Sequence, residues 1–294
     1  MQFKNISHIL YHIVVVLLSA AVALSLPFTA QFMARKFLRY WALIENEEIF
    51  LVSIEVGTAI LLIILFNFIV KNMKSRKLSR LAEEAGLFAL GRSSGFMEHT
   101  RIRKLKEKHG VARNIMLIGS TGFTTFVDPA GDLHKVIQKC RGAKIMLLDP
   151  SGEGANSRAK SIQCSDITME SFREQIAKSI EFLKGLKEVQ KDIRLKLYRD
   201  VPLLKLAILG DYVFLRHYHP GAEVQKLPEF VFRHQSNPGC LYNPFYQYFL
   251  DRWHDPALPE YELETDELIY RDKTGNEVRR EKFELPALAR ACLT

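Results

Sequence analysis

Four short stretches of this chain carry side chains able to grip an anion or move a proton. Gly119-Ser120-Thr121-Gly122 sets two hydroxyls between glycines, so that backbone amides and Oγ atoms can face one concave turn. Arg199 follows the alternating stretch Ile193-Arg194-Leu195-Lys196-Leu197-Tyr198, Lys205 lies inside Leu203-Leu204-Lys205-Leu206-Ala207-Ile208-Leu209, and His217 and His219 form a short pair. A lysine or arginine beside such a turn neutralises a phosphate, and a histidine can act as a nucleophile or proton carrier. Each residue also has an ordinary structural role: Ser and Thr after a strand cap helices, a lysine in an apolar strand snorkels, and exposed histidines need do nothing. The His pair has no third ligand spaced to match, so no metal site is expected, and no cofactor is implied. GxxxxGK[ST], GxSxG and HExxH do not occur.

The elements that would position these groups are an alternation of apolar strands and helical periods. Ile115–Ile118 and Lys144–Leu148 read as buried strands, the second ending in Asp149-Pro150-Ser151-Gly152. Between them, Gly131–Cys140 has helical spacing at Leu133, Val136 and Ile137. Ile167–Val189 reads as a long helix with Phe172, Ile176, Ile180, Leu183 and Leu186 on its core face, followed by strands at Ile193–Tyr198, Lys205–Leu209 and Tyr212–His217. Such an order predicts a mixed α/β sheet flanked by helices. In it, Ser120, Thr121, Asp149, Ser151, Tyr198 and Arg199 gather at the carboxyl ends of the strands, with Lys205 and either histidine reaching toward them.

Ahead of this domain lie two apolar runs. Asn5–Ala34 holds thirty residues without an Asp, Glu, Lys or Arg, and Ile49–Val70 holds twenty-two broken only by Glu55. A bilayer core of about 30 Å needs about 20 apolar residues per helix, so a two-helix transmembrane hairpin is expected over residues 1–70. Glu55 falls about two turns into the second run, where a carboxylate costs several kcal/mol unless hydrated, paired or protonated; a water-lined assembly and a locally hydrated interface both accommodate it.

The formal charge of +8 is concentrated beyond the spans, at Lys71, Lys74, Arg76, Lys77 and Arg80 and again at Arg101, Arg103, Lys104, Lys106 and Lys108. These clusters suit nucleic acid or anionic headgroups, and equally suit solvated helix faces that set topology. By the excess of basic residues the domain and both termini are expected in the cytoplasm. Cys140, Cys164, Cys240 and Cys292, with no CxxC spacing, are expected there as free thiols. The expected organisation is therefore a hairpin at 1–70, a basic helical linker at 71–111, an α/β domain at 112–254 and a C-terminal arm at 255–294. In the arm, Leu268-Ile269-Tyr270 and Glu277-Val278-Arg279-Arg280 flank a turn as a β-hairpin does.

The order of motifs in 112–254 resembles one half of the phospholipase D-like superfamily. The matching features are the strand with Gly119-Ser120-Thr121-Gly122, the strand ending Asp149-Pro150, the long helix, and Pro202-Leu203-Leu204-Lys205-Leu206-Ala207-Ile208-Leu209-Gly210-Asp211. The aromatic segment from Leu241 through Trp253 is similar to the closing helix of its regulatory members. Enzymes of that superfamily carry HxKxxxxD; aligned on Lys205, this chain has Leu203 at the histidine, Gly210 at the aspartate, and Asp211 one place late. Leucine cannot form a phosphohistidine, so the resemblance implies a domain that binds a phosphate or nucleotide without cleaving it.

Together, two spans, this domain and the basic surface resemble the two-transmembrane effectors of bacterial anti-phage systems, including the retron-associated type. That resemblance implies an inner-membrane homo-oligomer. Its cytosolic domain would be restrained by a reverse transcriptase with its RNA–DNA product, or by a nucleotide signal, and its hairpins would assemble to disrupt the membrane, with Glu55 a pore residue. Two other readings fit the same residues: a membrane-tethered phosphodiesterase with a displaced nucleophile such as His217, and a membrane-anchored ligand sensor without pore activity.

Overall fold

The computed structural model describes residues 31–32, 35–36, 47–91, 96–162, 168–189 and 191–284. Its internal contacts divide the chain into Met1–Ser75 and Arg76–Thr294. Helix α1, Glu47–Glu84, contains the second apolar run. Over Glu55–Glu84 it reaches a mean hydropathy of 2.0 across its most apolar eighteen residues, none of them buried by protein. Ile63, Ile64, Phe66 and Phe68 each leave 60–66% of their surface open, an arrangement that lipid rather than water stabilises. This helix is long and apolar enough to cross a bilayer. Apart from Gln31 and Phe32, the first run, with His8, His12, Pro27 and Thr29, lies outside the described residues, so one such helix is described in place of the expected pair. Glu55, Lys71, Lys74, Arg76 and Lys77 are all exposed on α1.

The second unit is built on one ten-stranded sheet with the order β1-β7-β6-β5-β2-β3-β4-β8-β9-β10. Its centre is parallel: β2 (Asn114–Ile118), β3 (Gly142–Leu148) and β4 (Asp192–Tyr198) run side by side. Ile145, Met146, Leu147 and Leu148 of β3 are all buried, as expected of a strand covered on both faces. Antiparallel strands extend the sheet both ways: β5 (Leu204–Leu209), β6 (Tyr212–His217), β7 (Glu229–Arg233) and β1 (Leu87–Gly91) on one side, and β8 (Glu260–Glu262), β9 (Glu267–Arg271) and β10 (Glu277–Lys282) on the other. Edge strand β10 is Glu-Val-Arg-Arg-Glu-Lys, a charged row that discourages further pairing.

Helices α2 (Phe96–Gly110), α3 (His134–Lys139), α4 (Glu153–Ser161) and α5 (Met169–Glu188) gather over one face. Helix α5 buries Phe172, Ile176, Ile180 and Leu183 as a stripe three or four residues apart, and Thr168 starts it by accepting from the Ser171 amide at 3.1 Å. The other face carries α6 (Tyr242–Trp253), whose Phe249 and Trp253 are buried. Cys140 and Cys240 are buried free thiols.

Two expectations change here. Residues 71–111 are not a linker: α1 stops at Glu84, β1 hydrogen-bonds to β7, and α2 buries Ile102 and Lys106. The arm beyond residue 255 holds the expected β-hairpin, β9 with β10, but it is not separate from the domain, since β8 pairs with β4 and carries both strands into the same sheet. Both segments are held by partners far along the chain, which local periodicity cannot register.

The change of direction from α1 into β1 is made at Gly86, where φ is +73°. A Cβ there would also meet Cys240 Sγ at 2.7 Å and the Arg233 carbonyl at 2.8 Å. Gly86→Ala should therefore destabilise the full chain by about 2 kcal/mol or more, combining the left-handed penalty with the clash. Gly185→Ala, at an exposed position of α5 with nothing within 4 Å of the added Cβ, should stabilise it by up to about 1 kcal/mol. Unfolding of the detergent-solubilised protein, followed by circular dichroism, checks both signs.

Candidate functional site

On the face covered by α2 and α5, cross-strand register places Lys205 of β5 opposite Arg216 of β6. Glu229, at the start of β7, takes Arg216 Nη2 at 3.4 Å and Lys106 Nζ of α2 at 2.6 Å. Lys106 also pairs with Asp132, in the loop before α3. Gln225, in the 3₁₀ turn Val224–Lys226, closes the group. Its Oε1 accepts from Arg216 at 2.6 Å and from Lys205 at 3.2 Å, while its Nε2 donates to Thr124 Oγ1 at 2.7 Å. Lys106, Lys205, Arg216 and Glu229 are each at most 5% exposed.

Three cations thus face two carboxylates, and the imbalance decides who titrates. Burial works against ionising Asp132, but Lys106, Lys205 and Arg216 outweigh it and hold that carboxyl below the usual range. Burial pushes the Lys205 ammonium down to about 8, against the pull of Asp132. The cavity beside Lys106, Asp132 and Arg216 measures about 10 Å³, about the room of one water and too small for a phosphate.

A larger cavity, about 80 Å³, opens at the carboxyl end of β2, lined by Ser120, Thr121, Thr124, Arg158, Tyr218 and Gln225 among others. Gln225 borders both spaces. The Ser120 amide donates to Tyr218 Oη at 2.8 Å, and Thr121 Oγ1 donates to Gln175 at 3.1 Å. Arg158 comes from α4 and is 4% exposed. Its Nη atoms donate to the carbonyls of His219 at 3.0 Å and Ala222 at 2.8 Å, and its guanidinium lies 4.9 Å from the Tyr218 ring centre. Among the described residues no carboxylate pairs with Arg158, and its buried Nε has no hydrogen-bond partner. Burial lowers its pKa, the signature of a cation held without a counter-ion.

Of the residues singled out by sequence, Ser120 and Thr121 line this mouth, and Lys205 touches it only through Gln225. Arg199 lies apart: its side chain is 70% exposed and bonds buried Asp149 at 2.9 Å, which also accepts from the Ser151 amide. His217 pairs with Leu204, one position from the Lys205–Arg216 pair, so side-chain alternation puts it on the opposite face from Lys205. That separates the proposed displaced nucleophile from the proposed phosphate ligand. Leu203 is 60% exposed, and Gly210 sits at φ +58° with Arg113 crowding its Cβ position. Arg101 and Lys104 are exposed on α2, whereas Arg103 pairs with Glu107 at 3.5 Å.

Sequence reasoning missed Arg158, Tyr218 and Gln225, and it took Lys106 for one more surface cation. For Arg158 the signal was there. Gly154, Ala155, Arg158 and Ala159 share one helix face, and the small residues mark close approach: a Cβ on Gly154 would meet the Asp200 carbonyl at 2.1 Å.

No family model matches this chain, and no curated protein matches it. Among solved structures, that of TrmBL2, an archaeal chromatin protein with a novel mode of DNA binding, is 13% identical and covers 71% of this chain and 69% of its own, with a TM-score of 0.32. A likeness that distant carries no argument about this chain.

The Lys205 setting makes a signed prediction. Unfolded, the ammonium keeps its proton up to its ordinary 10.5; folded, it releases it near 8. Between those values the unfolded chain binds more protons, so the contribution of this group to stability rises with pH across that window. Denaturation midpoints of wild type and Lys205→Met, compared from pH 7 to 10, should converge on wild type gaining relative to the variant; parallel curves would contradict the assignment.

Proposed function

We propose that this chain is a membrane-anchored effector of bacterial anti-phage defence whose cytosolic domain is a phospholipase D-like receptor, binding a nucleotide or nucleic-acid signal and cleaving nothing. The observation that carries the receptor part is Arg158: a buried cation without a carboxylate, set among two hydroxyls and an amide-lined turn at the mouth of the parallel strands. An oxyanion supplies the missing charge and accepts from Arg158 Nε, the guanidinium donor without a partner, while the Nη atoms stay on Ser161, His219 and Ala222. The non-catalytic part rests on Leu203 in the nucleophile position and on Lys205 enclosed with Gln225, Arg216 and Asp132. The exposed apolar helix favours a membrane output, and the architectural resemblance to retron-associated effectors supplies the defence context. In that reading, release of the bound reverse transcriptase with its RNA–DNA product, or arrival of a nucleotide, lets copies assemble in the inner membrane.

Gentle solubilisation from native cells, followed by mass spectrometry of what the protein retains, tests this. Wild type should carry a phosphate-bearing ligand; Arg158→Gln and Thr121→Val should each retain at least tenfold less at unchanged expression. Purified wild type should leave a diester substrate intact. Cleavage that disappears in His217→Ala would replace this reading with the phosphodiesterase. Unchanged membrane potential on expression without the proposed partner would leave a quiet sensor instead of a pore-forming effector.

A further inference from the structure

The opposite face of the sheet holds a second concentration of positive charge that the receptor reading does not use. Lys144 of β3 and Arg194 and Lys196 of β4 alternate away from the buried Ile145 and Leu195, and all three reach toward the indole of Trp253 on α6. Their charged ends stand 5.5, 5.7 and 5.7 Å from its ring centre. With Arg271 and Lys273 they line a groove of about 200 Å³, well over the room of a few waters.

Three carboxylates border the same groove, and each is already engaged. Glu260 makes a two-pronged pair with Arg194, at 2.7 and 2.9 Å, and approaches Arg271 at 3.6 Å. Asp255 accepts from the Ala257 amide, and Asp272 accepts from Thr274 and Asn276 within its own turn. Among the described residues no ion pair reaches Lys144, Lys196 or Lys273. Lys196 is 9% exposed and finds only the Asp255 carbonyl, at 3.5 Å; burial lowers its pKa. Arg271 Nε is buried without a hydrogen-bond partner. A quadrupole attracts a cation, but it leaves the N–H donors pointing outward for something else to accept. The indole itself is 3% exposed, so no flat base can stack on it.

We propose that this groove is a phosphate-binding site, in which an oxyanion accepts from Lys144, Lys196 and Lys273 above the Trp253 ring, on the face of the sheet away from the Arg158 mouth. The same chemistry arrives as free phosphate or as the phosphates of a nucleotide. The inference stands without the receptor reading, because it shares no residue with that mouth.

Trp253 reports its own site. In full-length protein carrying Trp41→Phe, inorganic phosphate and the dinucleotide pTpT are titrated against Trp253 emission at constant ionic strength set with chloride. A saturable change is expected for at least one probe; tighter binding of pTpT identifies a nucleotide source, and equal or tighter binding of inorganic phosphate a free one. Lys144→Gln with Lys196→Met should weaken it at least tenfold, and Lys273→Gln, at an exposed turn, severalfold without disturbing the core. Should the double variant misfold, Lys144→Gln and Lys273→Gln decide. The proposal is overturned by no saturable change with either probe, by the same change with chloride alone, or by binding that these variants leave intact. Arg158→Gln should leave the response in place, which separates failure of this site from failure of the mouth.

Discussion

The packing of the second unit turns on an ion cluster. Lys106, Asp132, Arg216, Glu229 and Lys205 come from a helix, a loop and three strands, and all but the partly buried Asp132 are buried. Taking each of these charges out of solvent costs several kcal/mol, which short N–O contacts offset only while every partner stays in position. Helix α2 is therefore not free to slide on the sheet: moving Lys106 strands Asp132 and leaves Glu229 with Arg216 alone. Within the cluster, Lys205 is enclosed by Gln225, Arg216 and the core.

Charge that the cluster leaves over gives the sheet its electrostatic character. On one face the unpaired guanidinium of Arg158 looks into the mouth beyond β2; on the other, the ammonium groups of Lys144 and Lys196 crowd the Trp253 ring. Arg158 and Lys196 are both buried, so an anion reaching either meets weaker screening than it would at an exposed cation. The exposed cations of α1 and α2, such as Lys74 and Lys104, are different in kind, being hydrated and sensitive to salt. Counting basic residues along the chain cannot make that distinction, since Lys104 and Lys106 stand two apart and differ entirely in burial.

How much of this could be read from the chain follows from what each element needs. Strands β2 to β6 and helix α5 announce themselves because their apolar periods are set locally, and observed bounds fall within two residues of expectation. Strand β1 is short, lies between two basic helices, and exists only because β7 pairs with it; taken alone it looks like linker. Helix α4, which opens in Ser151-Gly152-Glu153-Gly154-Ala155-Asn156-Ser157-Arg158, has the composition of a loop there, and small residues make it a helix that can pack tightly against residues 199–200. The mouth was legible at Ser120 and Thr121, where a glycine-bracketed turn follows a strand. Its charge was not, because Arg158 lies on the unread helix. The ion cluster was the least legible of all, joining residues as far apart as Lys106 and Glu229.

Gln225 shows why the two halves of this face belong together. A glutamate there would balance three cations with three anions. The amide instead accepts from Lys205 and Arg216 without neutralising either, and its other end holds Thr124 at the wall of the mouth. One side chain thus leaves a positive charge behind the mouth and fixes the hydroxyl in front of it. For the proposed ligand, the field of the unbalanced cluster adds to the guanidinium's own and favours an anion over a neutral molecule. Lys205 itself is withdrawn into the core, so what it contributes at the mouth is its charge.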